Sequence, residues 1–147
     1  MIIQDIFIRK AGNWHVRIYH AVDAMYADEI IDELITIGCS GETLKEAKQS
    51  LWKGAENSGL TYSNLKTHET VMVIGLTTDG SEYWNSLDHE KNHLLAHISQ
   101  ACGIDPYGER ISYISGEFIR DVYDKAKGLL CDSCRKSVYR RLHFLKL

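Results

Sequence analysis

The chain reads as an α+β domain, and three observations carry that reading. Two β-branched and aromatic runs flank a turn signal at Gly12-Asn13 near the start. A nearly continuous apolar run over 70–78 has the length and composition of a well-covered strand. Elsewhere apolar residues recur at helical spacing between capping residues and glycine stops.

Taken in order, 2–8 is the first strand. In the second, Trp14, Val16 and Ile18 alternate with His15, Arg17 and Tyr19, the period of a half-buried strand, so the two runs form a hairpin. Asp23 can cap a helix over 24–37, with Ile30, Ile31, Leu34 and Ile37 as its apolar stripe and Gly38 as its stop. Ser40 can cap a second helix to about residue 56, striped by Leu44, Ala47 and Leu51 and ended by Gly59. The stretch 60–66 reads as a loop. After the strand over 70–78, Asp79 with Glu82 three residues later is a capping pattern for a long helix over 81–102, closed by Gly103. Asp105-Pro106 then reads as a cap with proline at the first helical position, opening a helix to about residue 127. The expected organisation is one domain over 1–127 and a tail over 128–147.

Composition narrows the function classes. The 147 residues carry a net charge of −3, which argues against a general nucleic-acid binder. The basic end of the chain, with Arg135, Lys136, Arg140, Arg141 and Lys146, reads as a solvated tail. No segment approaches a membrane span, and the start lacks the basic and apolar regions of a signal peptide. Cys39, Cys102, Cys131 and Cys134 fit reduced thiols, so a cytoplasmic location is expected. Cys131-Asp132-Ser133-Cys134 is half of a zinc site at most and more simply a pair of surface thiols. Neither a glycine-rich phosphate loop nor a serine-nucleophile elbow is present. Oligomeric state is not legible.

His89-Glu90-Lys91-Asn92-His93, on the long helix, is the motif that carries chemistry. It reads H-E-x-x-H, the zinc-peptidase signature. Residues four apart share a helix face, so both imidazoles can reach one ion, while the glutamate can take a proton from a water there. At about 100° per residue the helix divides three ways. Leu87, Leu94, Leu95, Ile98 and Cys102 form a core arc, and His89, Glu90, His93 and His97 an adjoining one. Asp88, Asn92 and Ser99 take the remainder. The strand before such a helix can hold an extended peptide by main-chain pairing.

Catalytic zinc needs a third protein ligand. The metzincin extension fails, because Ala96 stands where its glycine and Ser99 where its histidine would be. A glutamate on the following helix is left, and Glu109 and Glu117 both qualify, two turns apart with Tyr113 between them. A simple helical hairpin favours Glu117, whereas a crossed pair favours Glu109. Ile111, Ile114, Phe118 and Val122 form the core face of that helix.

Residues 60–118 resemble the small zincin-like metallopeptidases found on bacterial phages and conjugative elements, within the broader gluzincin group. The strand Thr-Val-Met-Val-Ile-Gly, the motif His-Glu-Lys-Asn-His, and Gly108-Glu109 with Tyr113-Ile114-Ser115-Gly116 carry the resemblance. It implies a zincin-like fold: a small, mostly antiparallel sheet packed on the motif helix and a following glutamate-bearing helix, with two N-terminal helices added. It also implies Zn2+ held by His89, His93 and Glu109, the acidic residue four before the tyrosine, with Glu117 as the alternative third ligand. Glu90 would be the general base on zinc-bound water. Tyr113, His97 and His68 are candidates to steady the oxyanion. The expected activity is zinc-dependent cleavage of a peptide or protein amide bond. The rival is a non-catalytic zincin-like interaction protein of a mobile genetic element.

Overall fold

The computed structural model describes residues 1–54 and 59–131. These form four strands, four α-helices and two 3-10 turns. β1 (Ile2–Ile8) and β2 (Trp14–Val22) are joined through a 3-10 turn at Arg9–Ala11 that Gly12 closes in the left-handed conformation. A second such turn at Ala24–Tyr26, capped by Asp23, leads into α1 (Ala27–Thr36), which is followed by α2 (Gly41–Lys53). β3 (Gly59–Asn64), β4 (Glu69–Gly75), α3 (Gly80–Cys102) and α4 (Glu109–Leu130) complete the order.

The strands form one mixed sheet in the order β1-β2-β4-β3. β1 pairs antiparallel with β2, and β3 with β4, as local hairpins do. The central ladder, β2 on β4, is parallel, with Val16 opposite Thr70 and Tyr19 opposite Val73. Two of the three ladders are thus antiparallel, as expected, and the parallel centre makes the sheet a mixed one. The chain leaves β2 through α1 and α2 and returns on the far side of β4, so β2 and β4 meet in the same direction.

β3 itself was expected to be a loop. It lies at the sheet edge and is half-buried throughout, with only Leu60 and Tyr62 packed on the α1 and α2 side and small or hydroxyl residues facing α3, so its alternation carries few apolar residues. Asn64 turns the chain into β4, its side-chain oxygen accepting the Lys66 and Thr67 amides.

Both faces of the sheet are covered. Trp14, Val16 and Ile18 of β2 and Met72 and Ile74 of β4 face α3 and α4, against Tyr83, Leu87, Leu94, Ile98, Ile114, Phe118 and Val122. On the opposite face Tyr19, Val71 and Val73 meet Ile30, Ile31 and Leu34 of α1 and Leu51 of α2. Each fully buried aliphatic side chain in these layers contributes roughly 1.5–3 kcal/mol. Gly80 lets the start of α3 lie directly on the Leu130 carbonyl of α4, which sets the two helices antiparallel.

Three further differences have local causes. Asp105 does not cap α4. Its carboxylate accepts the Tyr107 amide and its carbonyl the Gly108 amide, so Asp105-Pro106 builds the turn and the helix opens at Glu109. α4 runs three residues past its expected end, because Leu129 is fully buried. Ser99, expected on the wet face of α3, is buried beside α4. No helix among the described residues is long and apolar enough to cross a membrane. Cys39 is buried and Cys102 half-buried, both as free thiols, and Cys131 is exposed. Cys134 and the basic tail from residue 132 lie outside the described residues.

Candidate metal centre on the motif helix

α3 forms where Asp79 caps it, the carboxylate accepting the Glu82 amide at 2.9 Å, and it runs unbroken to Gly103. Within it His89 and His93 are exposed and one turn apart. Their rings are edge to face at 76°, and the two Nε2 atoms stand 3.2 Å apart. Two nitrogens bound at 2.0–2.1 Å to one tetrahedral zinc ion must lie about 3.3 Å from each other. The separation matches that spacing, and it is equally the length of a direct hydrogen bond between the two rings.

Glu90 turns away from solvent and is only 5% exposed. It lies between α3 and the edge strand β3, where the Thr61 hydroxyl donates to Oε1 at 2.9 Å. Gly59, two residues earlier on β3, lies close to the carboxylate: a Cβ there would run into the Val73 carbonyl first and would also come within 3.2 Å of Oε2.

One turn further on, His97 Nδ1 lies 2.7 Å from the Ser63 hydroxyl. Ser63 is in turn 2.7 Å from the Thr70 hydroxyl, which accepts the buried Trp14 indole N–H at 2.8 Å. Burial lowers the His97 pKa, and the neighbouring His93 lowers it further.

The two carboxylates proposed for the third position are elsewhere. α3 and α4 lie side by side on one face of the sheet, α4 over β1 and α3 over β4 and β3. Lys91, Leu95 and Ser99 line the groove between the helices, facing Ile111, Ser112 and Ser115. At 100° per residue, His89 and His93 project from the opposite flank of α3, toward β3. Glu109 is exposed in the first turn of α4. In the antiparallel register it stands beside the last turn of α3, roughly 12 Å along the axis from His93. Glu117 sits at the level of the motif but is engaged by the end of β1, accepting the Arg9 amide at 2.6 Å and the Lys10 amide at 3.1 Å. Among the described residues, no group of three His, Cys, Asp or Glu side chains comes together that could hold a metal.

Of the oxyanion candidates, only His97 is close to the motif. Tyr113 is 62% exposed on α4. His68 stacks flat on Trp14 with ring centroids 4.7 Å apart, in the turn between β3 and β4.

Two features escaped the sequence reading. One is the row Gly59, Thr61, Ser63, which faces α3 at the strand period and supplies both partners of the motif arc. Its signal was the alternation of small or hydroxyl residues with Leu60 and Tyr62. The other is a buried polar cluster. His20 Nδ1 meets the Tyr83 hydroxyl, His20 Nε2 lies 2.9 Å from Gln4 Oε1, and the Gln4 amide donates to the Asp121 carbonyl at 2.9 Å. Burial pushes the His20 pKa down to about 4.

Comparison of the chain with protein-family models, with curated proteins and with solved structures finds no match.

Proposed function

We propose that this chain is a zincin-like hydrolase that cuts a peptide or protein amide bond with the help of zinc at His89 and His93. The observation that carries the reading is the 3.2 Å separation of the two Nε2 atoms, the spacing one tetrahedral ion requires. A zinc ion bound there supplies polarisation of a carbonyl and acidification of a water ligand.

The remaining work falls to the chain. His89 and His93 hold the ion. Glu90 takes the proton of the attacking water as its oxygen bonds to the carbonyl carbon. It then returns that proton to the amine nitrogen as the C–N bond breaks. β3, an edge strand against Glu90, offers unpaired main-chain groups to an extended substrate. His89 and His93 would be two of the three protein ligands a catalytic zinc takes, and neither Glu109 nor Glu117 of α4 stands beside them as the third.

Engagement of Glu117 by the β1 terminus favours a second reading, a non-catalytic zincin-like interaction protein of a mobile genetic element. Metal content and turnover separate the two. One zinc per chain is expected by elemental analysis, lost in His89→Ala and His93→Ala. Glu90→Gln should keep the zinc and lose cleavage of labelled casein. A Glu90→Gln protein that cuts casein as fast as the native chain ends the hydrolase reading.

A further inference from the structure

We propose that Thr61 is the positioning residue for Glu90, fixing one carboxylate oxygen so that the other is held ready as the proton acceptor. The proposal rests on the hydrolase reading above and assigns β3 a part in the chemistry besides any part in binding.

A glutamate on a helix has three side-chain torsions to fix, and a base must be within hydrogen-bond reach of the proton it removes. Two residues of β3 restrict Glu90. The Thr61 hydroxyl lies 2.9 Å from Oε1 and 3.4 Å from the Glu90 carbonyl oxygen. It has one proton to give, and the nearer, charged acceptor takes it. Gly59, two residues earlier and therefore on the same side of the strand, presents no side chain to Oε2, where even a Cβ would intrude to 3.2 Å. One oxygen is tethered, and the other lies in the space a missing side chain leaves. Among the described residues Thr61 is the hydrogen-bond partner of the carboxylate, at Oε1. Thr61 acts through Glu90.

The test uses the full chain loaded with zinc and compares Thr61→Val, which keeps the shape and removes the hydroxyl, with Thr61→Ser, which keeps the hydroxyl. Thr61→Val should retain one zinc per chain and an unchanged KM for casein, with kcat lower by about tenfold, the scale of a misplaced base. Thr61→Ser should come within about twofold of the native rate. A native kcat in Thr61→Val overturns the proposal, as does an equal loss in both variants, which would assign the effect to packing at this position rather than to the hydroxyl.

A second readout needs no turnover. The 13C resonance of the Glu90 carboxylate, identified by its loss in Glu90→Gln, should move in Thr61→Val and stay in place in Thr61→Ser. A resonance unchanged in both overturns the positioning role whatever the activity. If that resonance moves as expected while the native chain leaves casein uncut, the hydrolase reading is what fails, and the base role of Glu90 falls with it.

Discussion

Glu117 accepts the backbone amide of Arg9 at 2.6 Å and so ties α4 to the end of β1. A carboxylate that could have been a metal ligand is instead a cap for the 3-10 turn at Arg9–Ala11, whose first amides have no partner within the turn. Glu117→Gln should lower stability by about 1 kcal/mol, the difference between a charged and a neutral acceptor for these amides. The variant should keep its zinc. Chemical denaturation and elemental analysis of one preparation check both halves.

Glu109→Ala supplies the complementary case. The side chain is exposed, at the far end of α4 from the histidine pair. Zinc affinity, measured by competition with a chromogenic chelator, should be unchanged within about twofold, against a loss of tenfold or more for a true ligand. A loss on the larger scale would show that α4 crosses α3 when the ion is bound.

His20 should make the fold sensitive to mild acid. Its pKa is near 4 in the folded chain because burial disfavours the charged ring, against an ordinary 6.5. The faces it meets belong to Tyr83 and Gln4, neither of which can offset a positive charge at this pH. A depressed histidine leaves the folded state with fewer bound protons than the unfolded one between those two values. Stability is therefore complete above about pH 6.5 and falls as the pH drops toward 4, by roughly 3 kcal/mol in total. Urea denaturation at pH 7.5 and pH 4.5 should show the loss, and His20→Gln should flatten the dependence. Asp5 acts in the same direction lower down. Burial works to raise its pKa, but hydrogen bonds from Arg17 and His15 outweigh that and hold it below the usual value.

Gly80→Ala should be among the most damaging single-methyl changes in the chain. The added Cβ would run into the Leu130 carbonyl and carbonyl carbon, which are backbone atoms of α4 and have no rotamer to escape into. A loss of about 3 kcal/mol is expected, with the thermal midpoint as the readout.

Thr70→Val should strand the Trp14 indole N–H, which is buried and has Thr70 as its acceptor. An indole can only donate, so the cost is that of an unpaired buried group, about 1–3 kcal/mol. The same change releases Ser63 from Thr70 and should be visible at His97 by NMR.

Local signals carried most of the helices and the first hairpin. Asp79, Gly103 and the stripe through Leu87, Leu94 and Ile98 mark α3 within one residue of its start, because caps and periodicity are properties of adjacent residues. Trp14, Val16 and Ile18 announced the inner face of β2 for the same reason. β3 was hidden, since Leu60 and Tyr62 are its only apolar residues and its other side is Gly59, Thr61 and Ser63. The parallel pairing of β2 with β4 depends on where the chain goes in between, which no window of residues contains. At the candidate site, the convergence of His89 and His93 follows from helical spacing alone. Which glutamate could join them depended on the flank of α3 against which α4 packs, and that was decided by Leu95, Ser99, Ile111 and the Gly80–Leu130 contact rather than by the motif.

The parallel ladder also sets an order of assembly. β1 with β2, and β3 with β4, are each neighbours in the chain and can close as hairpins on their own. Joining them requires His15 to find Glu69 across the whole excursion through α1 and α2, and such distant pairings form late because chain entropy must be surrendered first. Glu90 and its partner Thr61 both belong to the second hairpin and the helix that follows it. The surroundings of Glu90 can thus be complete in a half-molecule, while the burial of His20 must wait for β1, β2, α3 and α4 together.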